Sequence, residues 1–465
     1  MKVLLIKPTL RANTDSITPS VGLGYLATAL RPYHEVLIVD GPKIKLNQRK
    51  FARILRDFKP DMVGFNLISL DLYITVSYLR VVREVVPNAV TVVGGPHPSG
   101  QPENTFHNCK PNLDYAFIGE AERGLSMLAE AIEKNRGSTS GFEDIPGLVW
   151  KDNEGFHKNP MYREPDLDSL GFPAWDLMDP RTYPPAPHAA FAKGFPIGNI
   201  STSRGCPFNC EFCAAGKIQG RKIRRRSIGH IMDEIELLTK RYGIKELHII
   251  DDNFTFNRDY TLEFCEQLAK RFEWLTWTCP NGVRLDSLDQ EMLTAMKRSG
   301  CYALAVGIES GSQSVLDRAS KKQTIELVRE KVELINSMGI SVIGFFVLGF
   351  PGETAEEIQN TIDFSLNLPL TRAQYMLFHP IPGTDLHAQL SRDHPERLRN
   401  VYSSLEKVAY LEEGMTEKQL KMLHRIAFLR FYLRPRQFFE LMASIRSPSH
   451  AYYIIKRTIR WMVTS

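Results

Sequence analysis

The sequence predicts a two-domain α/β protein. A flavodoxin-like, Rossmann-type sheet comes first, then a partial (β/α)6 barrel of TIM type, then a helical C-terminal region. Three observations predict this. The first ~140 residues alternate short apolar strands with helical stretches, as a parallel α/β sheet does. A second alternation begins at Ile197, with six apolar strands separated by amphipathic helices. The chain of 465 residues also exceeds what a single hydrophobic core supports. The expected boundaries are 1–140, a connector at 141–195, a barrel at 196–390 and a tail at 391–465.

In the first domain, strands are expected at 2–6, 36–40, 62–66, 90–93 and 115–118. Each runs into a turn or a small-residue loop carrying Ser20, Gly22 and Gly24, or Ser69, or Gly94, Gly95 and His97, or Gly119 and Glu120. Open parallel sheets bind ligands beyond the carboxyl ends of their strands. Small residues there let backbone approach a flat ligand closely. In the connector, 147–156 reads as a hairpin around an Asn/Gly turn. The segment 166–187 is too rich in proline for a helix or a central strand. It is expected to wrap between the domains, burying Phe172 and Trp175.

In the barrel, strands are expected at 197–203, 246–250, 276–280, 303–307, 341–348 and 374–378. Helices are expected at 227–242, 258–271, 289–298, 324–338 and 354–366. Catalytic groups of such barrels gather at the carboxyl ends of the strands. The first strand ends in Cys206, Cys210 and Cys213, spaced C-x-x-x-C-x-x-C. Thiolates hold iron–sulfur clusters, and a four-iron cluster normally takes four of them. Three from one loop leave an iron without a protein ligand, the mark of a catalytic metal site. A structural zinc site would want a fourth Cys or His, and none lies between Cys213 and His230.

The cysteine count of seven is odd, which argues against a disulfide framework. Cys109, Cys265, Cys279 and Cys301 read as ordinary buried thiols. The apolar run at 3–6 is too short for a signal h-region, and no apolar stretch reaches 18 residues. A reducing, oxygen-poor cytoplasm is the expected location. The net charge of +5 does not call for a nucleic-acid partner.

With Phe212 just before the last cysteine, this loop resembles the signature of the radical S-adenosylmethionine (SAM) superfamily. The resemblance implies a [4Fe-4S] cluster whose open iron is chelated by SAM. Reductive cleavage of SAM would then give methionine and a 5′-deoxyadenosyl radical. The first domain, through Ser20, Gly22, Gly24, Tyr25 and the run Gly94-Gly95-Pro96-His97, resembles the cobalamin-binding domain of one radical SAM subgroup. That resemblance assigns Ser20, Gly22, Gly24, Ser69, Gly94, Gly95, His97, Gly119 and Glu120 to cobalamin. The usual D-x-H-x-x-G motif is missing, because the loop after Ile6 holds no histidine. His97 is therefore expected beside the corrin without a bond to cobalt.

By the same resemblance, Asp251, Asp252 and Asn253 at the second strand end accept the SAM amino group; the alternative is that they cap the next helix. Glu309 and Ser310 face the same mouth, Arg284 is a counter-charge for a carboxylate there, and Phe212 borders SAM. His379 reads as a loop residue or a catalytic one. The basic run from Lys217 to Arg226 reads as a solvated face or a dock for an electron donor such as flavodoxin or ferredoxin. From Lys421 onward nine Lys/Arg stand against the single acid Glu440, among many aromatics. This suggests peripheral membrane contact or packing over the barrel.

The resemblance implies a cobalamin-dependent enzyme, expected to be monomeric, that methylates an unactivated carbon of a hydrophobic or anionic small molecule or lipid. One rival is a non-methylating cyclase of the magnesium-protoporphyrin ester type. A methylthiotransferase would need a second three-cysteine cluster in the first domain, which has only Cys109. A non-catalytic binding role is the remaining alternative.

Overall fold

The computed structural model describes residues 1–8, 17–135, 141–184, 192–399, 401–402 and 407–437, with 439, 445 and 451 singly. Five parallel strands open the first sheet: β1 (Lys2–Lys7), β2 (Glu35–Asp40), β3 (Met62–Asn66), β4 (Val90–Gly94) and β5 (Tyr115–Phe117). The expected hairpin, β6 (Leu148–Lys151) and β7 (Phe156–Lys158), joins the same sheet antiparallel. The strand order is β2-β1-β3-β4-β5-β6-β7.

Strand β1 is apolar throughout because it is covered on both faces. Val3 and Leu5 pack with Leu23, Ala27 and Leu128 from α1 (Val21–Leu30) and a helix at Glu122–Asn135. Leu4 and Ile6 pack with Phe51, Leu55, Tyr78 and Leu79 from helices Gln48–Phe58 and Leu72–Val85. The chain reverses its strand order between β1 and β3, and a ligand crevice is expected above that point.

The second sheet is six-stranded and wholly parallel: β8 (Ile197–Ile200), β9 (Glu246–Ile249), β10 (Thr276–Val283), β11 (Cys301–Glu309), β12 (Ser341–Leu348) and β13 (Arg372–Leu377). Its order is sequential, with β8 and β13 at the two edges, as a partial barrel requires. Helices Ile228–Tyr242, Arg258–Arg271, Gln290–Arg298, Ile325–Ser337 and Ala355–Asn367 lie between the strands. Each starts where a Ser, Asn, Asp or Thr side chain accepts from the first turn: Ser227, Asn257, Asp289, Thr324 and Thr354.

Trp175 is fully buried in the same core cluster as Val21, Tyr25 and the barrel residues Ile200 and Ile231. Its Nε1 donates to Glu234 at 2.8 Å. The connector therefore stitches α1 to the first barrel helix. Phe172 is only half-buried, lying against His230, because its ring rests on the outer side of that helix. The tail helix Glu417–Tyr432 buries Leu420, Ala427 and Phe431, and Tyr432 Oη donates to the Ala373 carbonyl at 2.8 Å. This part of the tail packs over β13. Phe438, Glu440, Tyr452, Tyr453 and Trp461 lie outside the described residues. Among the described residues, no helix is long and apolar enough to cross a membrane.

Two glycines of α1 separate packing from ligand approach. A Cβ on Gly24 would strike Met178 and lie 2.7 Å from Pro173, whereas one on Gly22 meets nothing within 4 Å. Gly24→Ala is expected to lower apoprotein stability by about 1–3 kcal/mol. Gly22→Ala should leave it unchanged or raise it by up to about 1 kcal/mol. Thermal melting of the two apoproteins checks this.

Candidate active site

The cysteine loop hangs from the end of β8 and is fastened at both ends. At its entry, the buried Asp251 carboxylate accepts from Thr202 N (2.7 Å), Thr202 Oγ1 (2.5 Å) and Ser203 Oγ (2.6 Å). Arg204 follows and reaches out of the barrel domain to Glu122 (2.7 Å) and Glu120 (3.4 Å). At the exit, Arg224 forms a two-point ion pair with Glu120 at 2.5 and 2.9 Å. Arg204 and Arg224 are also backbone partners in a two-residue antiparallel ladder. Glu120 thus bridges the two arms of the loop from the other domain. Burial alone would raise its carboxyl, but Arg224 and Arg204 hold it below the usual range.

The loop interior suits a cluster. Burial raises the Cys206 and Cys213 thiols, the latter to about 11, and the charge of neighbouring Cys210 pushes both the same way. Among the described residues no three His, Cys, Asp or Glu side chains close on one metal ion. A four-iron cluster does not need that, because it takes each thiolate on a different iron. Phe212 sits edge-on to Phe350 at 5.5 Å, in the apolar cluster under the ends of β12 and β13. It anchors the loop to the barrel.

The other barrel residues divide by what already occupies them. Asp251 is spent on Thr202 and Ser203, and burial pushes its carboxyl up to about 6. Asp252 is exposed in the cleft described below. Asn253 is buried with both amide atoms unpartnered, so it has capacity for a bound polar group. None of the three caps the next helix, which Asn257 caps through Tyr260 N. Glu309, at a positive φ of 68°, finds its partner in Lys321 Nζ at 2.7 Å. Ser310 does not face the mouth: its hydroxyl pairs with Thr361 at 2.9 Å and accepts from Ser312 N, because the chain turns there toward the helix over β12. Arg284 does not face the mouth as a free counter-charge. Asp286 takes its fork at 2.9–3.2 Å, and its remaining nitrogen lies 4.0 Å from Cys210 Sγ. His379 Nε2 meets the Val401 carbonyl at 2.7 Å, a loop-holding role.

In the first domain, Gly22, Gly94, Gly95, Gly119 and Glu120 line a solvent-open cleft of about 310 Å3. Its opposite wall is the barrel mouth: Ser201, Ser203, Arg204, Asp251 and Asp252. Gly95 (φ 106°) and Gly119 (φ 74°) turn the chain at the strand ends in a conformation that favours glycine. Ser20, Ser69, Gly24 and His97 stand off the cleft wall. Gly24 is required by the connector instead. His97 lies in the short helix Pro96–Gly100, almost fully buried, with Nδ1 2.9 Å from Ser69 Oγ and its ring edge-on to Tyr402. A backbone seam completes the domain contact: a Cβ on Gly383 would lie 2.5 Å from Gly100 Cα.

The basic run is not one solvated face. Arg224 and Arg226 are buried, the latter against Glu234 at 2.5 Å, while Arg221, Lys222 and Arg225 are exposed. Sequence reading also passed over Arg204 and Glu122. The spacing Glu120-x-Glu122 just after a strand was the available signal, but only the fold brings it to the cysteine loop.

The family profile described as the radical SAM superfamily matches residues 200–365, and that described as a B12 binding domain matches 8–129. The chain is 31% identical to an uncharacterized methyltransferase of Pyrococcus horikoshii over 100% of its own length and 98% of that protein. The chain is a cobalamin-binding radical SAM protein. It is also 31% identical to the cytidylyl-2-hydroxyethylphosphonate methyltransferase of Streptomyces wedmorensis, covering 83% of this chain and 80% of that one. Its fold matches OxsB, solved with aqua-cobalamin and SAM, at a TM-score of 0.76 and 17% identity over 100% of this chain and 71% of that one. It matches TsrM of Kitasatospora setae, solved with cobalamin and a [4Fe-4S] cluster, at 0.72 and 18% over 91% and 90%. This radical SAM protein is thus an enzyme of the methyltransferase kind, whose cofactors are a [4Fe-4S] cluster, SAM and cobalamin.

Two outcomes are expected. Glu120→Gln leaves Arg224 buried without its carboxylate and should cost about 3–5 kcal/mol, read by chemical denaturation. Burial lowers His97 to about 4 from its ordinary 6.5. Its contribution is fully present above pH 6.5 and is lost as pH falls toward 4, up to about 3 kcal/mol in all. His97→Gln should flatten that part of the stability–pH curve.

Proposed function

We propose that this enzyme methylates an unactivated carbon of a hydrophobic or anionic small molecule or lipid held in the interdomain cleft. The observation that carries this reading is the double lining of the cleft. The strand ends of the B12-binding domain form one wall and the barrel mouth, beside the cysteine loop, forms the other. A substrate there lies within reach of both cofactor regions. When bound, the cluster with SAM supplies a carbon-centred radical, and cobalamin carries the methyl group.

The chain's own residues prepare that space. Val21, Leu23, Leu26 and Phe117 give the cleft an apolar side. Cys206, Cys210 and Cys213 would hold the cluster, and Asn253 and Asp252 offer polar groups to SAM. Gly94, Gly95 and Gly119 keep the opposite wall flat for the corrin. His97, held by Ser69 away from the wall, supports the reading without a histidine on cobalt.

A second reading is favoured by one relative. The anaerobic magnesium-protoporphyrin IX monomethyl ester cyclase of Rubrivivax gelatinosus is 28% identical over 84% of this chain and 70% of that one. The test uses anaerobically reconstituted enzyme with hydroxocobalamin, a low-potential reductant and methyl-deuterated SAM. Methylation predicts S-adenosylhomocysteine and deuterium in the cobalamin fraction. Release of 5′-deoxyadenosine with neither of these would favour the cyclase reading.

A further inference from the structure

We infer that Arg284 and Asp286 form a charge pair that sets the reduction potential of the cluster through Cys210. The inference rests on the assignment of the three cysteines to a [4Fe-4S] cluster. Arg284 leaves the end of β10 almost fully buried. Its guanidinium carbon lies 3.7 Å from the centre of the Phe208 ring, inside the cysteine loop. Nη1 lies 4.0 Å from Cys210 Sγ. Nε and Nη2 are held by Asp286 at 2.9–3.2 Å, and Nη2 also donates to the Lys321 carbonyl at 3.1 Å.

This arrangement differs from a general anchor in one respect. Every nitrogen but Nη1 is committed to other groups, so the one N–H left for a cysteine ligand is directed at Cys210. The stack on Phe208 fixes its distance from the sulfur. The potential of an iron–sulfur cluster depends on net local charge and on hydrogen bonds to its sulfurs. A cation against a ligand sulfur favours the more negative, reduced cluster, so it raises the potential. Asp286 lies on the far side of the guanidinium, partly open to solvent, and offsets part of that charge. The two residues therefore act with opposite signs on the same iron centre. The backbone that accepts from Nη2 is itself in an uncommon conformation. Ser320 and Lys322 both adopt positive φ, at 52° and 53°, and Ser320 Oγ donates to Glu211 within the loop at 2.8 Å.

The test is EPR-monitored redox titration of the reconstituted full-length protein without SAM. Arg284→Gln should move the cluster midpoint to more negative potential, and Asp286→Asn should move it to more positive potential. Arg284→Lys, which keeps the charge but loses the planar stack, should fall between Arg284→Gln and wild type. A purely structural role would lower cluster content in both charge variants without shifting the midpoint in opposite directions, and that result would overturn the inference. If Arg284→Gln fails to hold a cluster, Asp286→Asn decides alone, an unchanged midpoint counting against the pair. Wild-type protein that takes up no four-iron cluster would instead sink the site assignment on which the inference rests.

Discussion

Glu120 is the constraint on which the rest of this molecule depends. One carboxylate from the B12-binding domain holds Arg204 and Arg224, the two arms of a loop in the other domain. Without it, two guanidinium groups would sit in the domain interface with too few anionic partners, a costly state in a low dielectric. With it, the loop and the crevice above β1 and β3 are presented to one another at a fixed separation. The same logic repeats further along the chain. Arg226 pairs with Glu234, and Glu234 accepts from Trp175 of the connector. Ion pairs and one indole hydrogen bond thus run from the first domain through the cysteine loop to the connector.

Much of this was legible in the sequence because it depends on local patterns. Strands reveal themselves by apolar runs bounded by small residues, and the helices between them by their capping side chains. The three cysteines were legible because a spacing within eight residues fixes their proximity whatever the fold. What escaped was chemistry assembled from distant residues. Arg224 and Arg226 looked like a solvated charge run, since nothing in the run itself reveals an acid 104 residues away or one eight residues on, in the second turn of the following helix. Arg284 and Ser310 sit at strand ends, as expected. Ser310 turns its hydroxyl to Thr361, and Arg284 reaches the cysteine loop with most of its fork already taken by Asp286.

Glycine shows the same division. The five glycines assigned to cobalamin share one rationale, room for a flat ligand. Gly22 and Gly94 have that room, and Gly95 and Gly119 make the turns that create it. Gly24 looks identical in sequence, yet it is small for the connector and not for a cofactor. A sequence motif records that bulk is forbidden and is silent about which neighbour forbids it.

The seam between Gly100 and Gly383 carries a different kind of consequence. Ion pairs have some slack, because long side chains can follow a shifting partner. Two glycine backbones in contact have none. They act as a feeler gauge, setting the opening of the cleft at the thickness of bare main chain. At the contact of Gly383 with the helix Pro96–Gly100, nothing bulkier than glycine fits without forcing the two backbones apart. Selection for substrates of different size would therefore be expected to work on the side chains of the cleft walls, where changes are absorbed locally, and to leave this spacer alone.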